Sequence, residues 1–237
     1  MTQPWHKHPV TIVALGKYND IWQGFAENIN LFAQGFERVF VRDGHLIPVP
    51  RDWMVVQGPK VFCMAGNANL GWKATDPLHD ILYVGDDVRL RSADTVQSLR
   101  DLAYSDPSVG MLSPKILGGA DNPLQKDPPA DQDLAYSDRY LALICTYIKR
   151  EVIEKIGYLD EETFQGCYGN DDADYGRRVR NAGYKLAVTP RVEVNHGLDH
   201  RGTETFLRNI GGYKEDMDAM VAEHDRRYLE KWGDLVK

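Results

Sequence analysis

The feature that most constrains the fold is a short run, Val10-Thr11-Ile12-Val13-Ala14-Leu15, which is β-forming and almost continuously apolar. A strand wetted on one face alternates apolar and polar residues. A continuous run of this length predicts a strand buried on both faces, as in a parallel sheet. Gly16 to Asp20 supplies a turn. Ile21, Phe25, Ile29 and Phe32 then recur at three- and four-residue steps and predict a helix over 21–34. Residues 37–42 predict the next strand, ending at Asp43-Gly44. The chain therefore opens as β-α-β, the unit of an α/β fold.

The alternation continues. Residues 60–64 and 81–84 predict strands, 65–70 a small-residue loop leading into a short helix, 93–104 a helix and 109–114 a strand. Residues 118–138 are rich in Gly, Pro, Asp and Gln and include Pro128-Pro129. They predict a long irregular loop, which in a compact domain is functional or disordered. Residues 140–148 are strongly β-forming, 151–156 predict a short helix stopped by Gly157, and 172–181 predict a helix capped by Gly183. A last strand over 186–194 contains Pro190, which marks an edge or bend. From Thr203 onward the chain is polar and helical. There is no internal repeat.

Composition narrows the function classes. The chain has 237 residues, enough for one large domain, and a formal charge of −7, which argues against a broad basic face for nucleic acid. Cys63, Cys145 and Cys167 lie far apart with no Cys-x-x-Cys pair, so neither a disulfide framework nor a zinc site is expected. No run approaches the roughly 18 apolar residues of a membrane span. Residues 1–9 are polar, carry Trp5, His6, Lys7 and His8, and lack the apolar core of a signal peptide, so the expected location is the cytoplasm.

The chemistry-bearing residues cluster at strand ends. In open α/β sheets, ligands bind beyond the carboxyl ends of the strands. Three predicted strands end in Asn19-Asp20, Asp43 and Asp86-Asp87, which suggests one edge carrying negative charge. Such an edge calls for a hard divalent cation, and a nucleotide diphosphate brings further oxygens to it. Asp86-Asp87 alone is equally a solvated turn. A second cluster, Gly169-Asn170-Asp171-Asp172-Ala173-Asp174, opens the 172–181 helix. Helix capping explains one or two of its aspartates but not three in four positions. Crowded carboxylates raise one another's pKa, which suits a general base. The acidic run is not an EF-hand, because glycine is missing at the sixth loop position and Asn181 stands at the twelfth. His196 follows the last strand and can ligate a metal or donate to a phosphate. Arg201 can grip a diphosphate.

These residues resemble a known family. Lys149 to Glu161, with Arg150, Gly157, Leu159, Asp160 and Glu161, is similar to "R-x-x-x-x-x-x-G-x-F-D-E". Tyr168 to Arg178 is similar to "G-E-D-x-D-x-x-x-R". Gly183, Pro190 and His196 also match. The chain resembles glycosyltransferase family 2, of the GT-A fold, from about Val10 to His196. The resemblance implies a single α/β domain of GT-A type with a mostly parallel central sheet flanked by helices, spanning 1–202, and a helical C-terminal extension over 203–237. It implies Mn²⁺ or Mg²⁺ as cofactor and a nucleotide-diphosphate sugar as donor. Asn19 and Asp43 resemble positions that hold the nucleobase and ribose, and Asn67 and Asn69 belong to the loop near the nucleotide, with Asp86 and Arg201 beside the donor. Asp87 resembles the last aspartate of an Asp-x-Asp metal motif, His196 the histidine near metal or diphosphate, and Asp172 the base of inverting members, with Asp171 in place of the usual glutamate. The Asp-x-Asp motif reads Gly85-Asp86-Asp87 here.

The acceptor classes open to such a chain are a glycan, a lipid-linked glycan, a protein or a modified nucleic acid, with residues 118–138 and the C-terminal region shaping that site. Two other functional classes compete. A sugar nucleotidyltransferase needs a glycine-rich basic loop after its first strand, and Gly16-Lys17-Tyr18-Asn19 is too short and too poor in glycine. A catalytically silent nucleotide- or sugar-binding protein would bind donor without transfer. Residues 224–232 carry Arg226, Arg227, Tyr228, Leu229, Lys231 and Trp232; they read as a helix end packing its aromatics on the domain, or as a membrane-surface helix.

Overall fold

The apolar run becomes β1 (Val10–Gly16), buried along its whole length. The computed structural model describes residues 8–16, 19–42, 47–58, 63–166, 169–197 and 217–235. After β1 come α1 (Asn19–Phe32), β2 (Glu37–Arg42), β3 (Met54–Gln57), α2 (Met64–Lys73), β4 (Asp80–Gly85), β5 (Val88–Leu90), α3 (Thr95–Ser105) and β6 (Val109–Gly118). The chain continues through α4 (Pro123–Lys126), β7 (Ala135–Ser137), β8 (Cys145–Ile148), α5 (Arg150–Ile156), α6 (Asp171–Asn181), β9 (Lys185–His196) and α7 (Met217–Trp232).

The strands form one mixed sheet in the order β3-β2-β1-β4-β8-β6-β9-β5, with β7 also on β9. β1, β2, β3 and β4 are mutually parallel, and β6 is parallel to β9. β8 is antiparallel to both β4 and β6, so β4, β6 and β9 run the same way. Their carboxyl ends therefore share one edge. Gly16 is in register with Arg42, and Leu15 with Gly85, which sets the residues following β1, β2 and β4 side by side.

Side chains of β1 alternate between two cores, as pleating requires. Ile12 and Ala14 pack with Trp22, Phe25 and Ile29 of α1 and Val96 and Leu99 of α3. Val13 and Leu15 pack with Trp72 of α2, Val152 of α5, and Tyr175 and Val179 of α6. The result is a sheet covered by helices on both faces. At the opposite sheet edge, buried Asp80 accepts from the hydroxyls of Tyr104 (2.8 Å) and Tyr147 (2.6 Å) and from the backbone N–H of Arg150 (2.7 Å).

Several expectations need correction. Residues 65–70 are helix, not loop. Small residues there hide the helical period because α2 lies hard against the sheet: a Cβ on Gly71 would sit 2.5 Å from Val13 Cγ1. The strand expected at 60–64 falls largely on 59–62, outside the described residues, and Met64 is helical. Residues 118–138 contain α4 and β7, and the strand expected over 140–148 forms only at Cys145–Ile148. Pro190 lies where β9 carries extra residues against β6, Pro114 pairing with Thr189 and Lys115 with Glu193. No helix among the described residues is long and apolar enough to cross a membrane. Tyr228 of α7 is buried, and with Trp232 it packs on Phe164 and Ala173.

Candidate active site

The Asp86-Asp87 turn follows β4 and reverses the chain into β5, which runs antiparallel to β9 with Val88 opposite His196. Gly197 N–H closes the turn on the Asp87 carbonyl at 3.1 Å. This register brings Asp87 Oδ2 to 3.3 Å from His196 Nε2. The other ring nitrogen, Nδ1, meets the Gly119 carbonyl, because β6 ends at Gly118 opposite His196. A carbonyl oxygen only accepts, so Nδ1 carries a hydrogen; Nε2 donates to the Asp87 carboxylate when the ring is protonated and offers a lone pair when it is neutral. Burial works against a charged His196, but the Asp87 hydrogen bond and charge, the Gly119 carbonyl and Asp121 outweigh it and raise the pKa.

Asp86 diverges from Asp87. Its Oδ2 lies over the end of β1, 2.9 Å from where a Cβ on Gly16 would be, so glycine at 16 makes room for it.

The three aspartates of the second cluster have different surroundings. Asp174 is fully buried and saturated: Arg178 Nε donates at 2.9 Å, Trp232 Nε1 at 2.9 Å, and Lys231 Nζ lies at 2.7 Å. Asp171 is also buried, but its Oδ2 has no hydrogen-bond partner among the described residues. Asp172 is half-buried and accepts from the N–H of Ala173 at 2.7 Å. Burial raises the pKa of both Asp171 and Asp172, and each is raised further by a neighbouring carboxylate, Asp174 for Asp171 and chiefly Asp171 for Asp172. Gly183, at φ +90°, reverses the chain between α6 and β9, so the first turn of α6 stands at the same sheet edge as His196.

Asp121 joins the two centres, and sequence reasoning did not single it out. Its negative charge acts on both His196 and Asp172. It is exposed, on a segment held by buried amides. Asn122 Nδ2 donates to the Tyr140 carbonyl at 2.5 Å, and Gln125 bonds Ser113 and both backbone groups of Ala142. Burial, with the charges of Asp172 and Asp121, pushes the neighbouring Tyr140 phenol up to about 12. The available signal was an aspartate just after Gly118-Gly119-Ala120, inside a loop expected to be functional.

The donor-side residues separate likewise. Asn67, in the first turn of α2, is fully buried, neither amide atom is hydrogen-bonded among the described residues, and its Oδ1 lies 2.9 Å from a Cβ built on Gly58. Asn69 is engaged elsewhere. Its Oδ1 accepts from Leu159 N–H at 2.9 Å, and its Nδ2 donates to Leu159 O at 2.9 Å and Glu161 Oε2 at 3.0 Å, tying α2 to residues 159–161. Asn19 is the first residue of α1, and its side chain lies outside the described residues, as do Asp43 and Arg201.

Solved structures share this architecture. GalNAc-T7 with UDP, GalNAc and Mn²⁺ superposes with a TM-score of 0.62 at 13% identity, over 80% of this chain and 44% of that one. The fold is GT-A-like. S. aureus TarS (1-349) gives 0.56 at 15% identity, over 94% and 72% of the two chains. Glucosyl-3-phosphoglycerate synthase from Mycobacterium tuberculosis, in complex with Mn²⁺, UDP and glucosyl-3-phosphoglycerate, gives 0.56 at 12%, over 97% and 82%. The chain thus spans less than half the length of the GalNAc-T7 chain. No family model matches the sequence, and no curated protein matches it.

Among the described residues no group of three or more His, Cys, Asp and Glu side chains gathers as a metal cage. Asp87 and His196 offer one carboxylate oxygen and one imidazole nitrogen. Two protein ligands suit a divalent cation completed by oxygens from outside this pair rather than one held by the pair alone.

Proposed function

We propose that this protein is a glycosyltransferase that moves a sugar from a nucleotide-diphosphate donor to an acceptor hydroxyl with inversion. The supporting observation is that the Asp87–His196 pair and the Asp171–Asp172 pair stand at one sheet edge, with the charge of Asp121 acting on both His196 and Asp172. The shared fold of structures solved with UDP and Mn²⁺ supports the donor class. In this reading residues 1–202 form the donor-binding and catalytic part, and 203–237 the extension that contributes α7.

Asp87 and His196 would hold Mn²⁺ or Mg²⁺ with the donor diphosphate. When bound, the cation offsets charge growing on the leaving phosphate. Asp86, Asn67, Asn19, Asp43 and Arg201 are assigned to the donor nucleotide, and Asn69 to bracing α2. Asp172 accepts the acceptor's proton as the acceptor oxygen forms its bond to the anomeric carbon and the bond to the diphosphate oxygen breaks. Asp171 keeps Asp172 basic through its charge. Fixing both substrates at this edge removes much of the entropic barrier.

The test is a thermal-shift panel of UDP, GDP, dTDP and CDP sugars, each with Mn²⁺, Mg²⁺ or EDTA. A ligand at about 100 times its dissociation constant adds roughly 2.7 kcal/mol. The expected result is a shift with one nucleotide class that EDTA abolishes, followed by release of that nucleotide in an acceptor screen. Binding without transfer or hydrolysis across that screen would favour a silent binding protein, and no shift with any nucleotide would overturn the donor assignment.

A further inference from the structure

Helix α7 reaches the proposed base through a single close seat. The His224 ring is buried at 2% exposure and occupies the space a side chain at position 169 would need. A Cβ built on Gly169 would lie 1.3 Å from His224 Nδ1 and 2.2 Å from Cγ. Gly166 is needed for its backbone, at φ +124°, rather than for space: its Cβ would lie 3.3 Å from Met220 Sδ and 3.6 Å from His224 Nε2. His224 Nε2 stands 2.7 Å from the Gln165 carbonyl, so that nitrogen carries the hydrogen. Among the described residues Nδ1 has no partner, which leaves the ring held there by shape and by one hydrogen bond.

The contacts continue along the same stretch. Asn170 Nδ2 donates to Asp225 Oδ1 at 2.9 Å, Trp232 Nε1 and Lys231 Nζ reach Asp174, and Lys231 also reaches Asp160 Oδ2 at 2.7 Å. Positions 169, 170 and 174 are thus all held by α7, and 171 and 172 lie between them. Among the described residues the Asp172 carboxylate is held by local backbone, accepting from the adjacent Ala173 N–H at 2.7 Å, so it follows its own backbone.

We propose that His224 is a positioning residue for the Asp171–Asp172 carboxylates, acting from α7 by seating its ring on Gly169. The C-terminal helix then forms part of the catalytic apparatus without touching substrate. This rests on the assignment of Asp172 as the base. The contact also explains why position 169 must be glycine: any larger residue there expels the ring.

The experiment uses the full chain and four variants: His224→Ala, His224→Gln, Gly169→Ala and the double Gly169→Ala/His224→Ala. Melting temperature, Mn²⁺-dependent UDP affinity, kcat, KM for the donor and the pH–rate profile are measured for each. For His224→Ala, UDP affinity and donor KM stay within about twofold while kcat falls about 10–100-fold, the loss expected from misplacing a reacting group by about an ångström. The acidic limb of its pH profile moves, because the surroundings of Asp172 change. His224→Gln, able to donate to the Gln165 carbonyl, recovers part of kcat. Gly169→Ala loses more than His224→Ala, and the double variant regains turnover over Gly169→Ala because the Cβ then has room.

An active wild type whose His224→Ala variant keeps kcat and pH profile and loses only melting temperature overturns the proposal alone. Equal turnover in Gly169→Ala and the double variant overturns it as well. A wild type that neither transfers nor hydrolyses any donor overturns the functional reading and this proposal with it.

Discussion

His196 Nε2 lies 3.3 Å from Asp87 Oδ2, with the opposite ring nitrogen committed to the Gly119 carbonyl. An imidazole oriented in this way presents one fixed donor atom beside a carboxylate, the arrangement by which outer partners orient metal-ligating histidines.

Asp87→Asn and His196→Ala should each weaken Mn²⁺-dependent nucleotide binding by at least roughly 10–100-fold, the range seen even for outer-shell partners. Calorimetric titration with the nucleoside diphosphate that the thermal-shift panel selects, with and without Mn²⁺, measures this. Unchanged metal-dependent affinity in both variants would remove the pair from the donor site.

Asp172→Asn should lower turnover by about 10²–10⁴ while leaving UDP affinity intact. In the wild type the rate should climb with pH through a value above the ordinary carboxylate range, because the base works deprotonated and its pKa is raised. A steady-state pH profile of wild type and variant at saturating donor reads both effects; near-normal turnover in the variant would sink the assignment.

The same raised pKa values have a stability consequence. A carboxylate whose pKa is higher folded than unfolded favours the fold fully below its unfolded value near 3.8, and that contribution is lost as pH rises through the folded value. Metal-free Asp171→Asn and Asp172→Asn proteins should therefore melt above the wild type at pH 7. The advantage should shrink as pH falls toward about 4. Melting scans in EDTA from pH 4 to 8 show the crossover, and a constant difference across that range would count against burial as the cause.

Asp80→Ala should destabilise the fold by about 3 kcal/mol or more, since it strands the buried Tyr147 hydroxyl, the half-buried Tyr104 hydroxyl and the Arg150 N–H together. Denaturant unfolding measures the loss. Because Asp80 starts β4 and the site lies beyond its other end, the folded variant should bind nucleotide as the wild type does.

Gly71→Ala should cost about 1–3 kcal/mol by overpacking α2 against β1, where its new Cβ meets Val13 at 2.5 Å. Val13→Ala in the same chain should recover part of that loss, a coupling that equilibrium unfolding of the single and double variants resolves.

Strands buried on both faces and amphipathic helices announce themselves locally. This is why β1, α1, β2, β4, α3 and α6 were readable from residue pattern alone. The short β3 and β5 carry too few residues for a period. The small residues of α2 suit its close seat on β1 and β2, and that tertiary reason disguised a helix as a loop.

For the site, the sequence by itself determined which residue types stand beyond the strand ends and that aspartates crowd the start of α6. It could not say which carboxylates are neutralised, because that depends on partners distant in the chain. Asp174 is satisfied by Lys231 and Trp232, and Asn69 by Leu159, whereas Asp171 keeps an unpartnered oxygen. Only the tertiary structure decided that Asp87 meets His196 and that α7 seats on Gly169. Local pattern follows from the period of a single element, but the meeting of side chains follows from strand order and register, which the whole core sets at once.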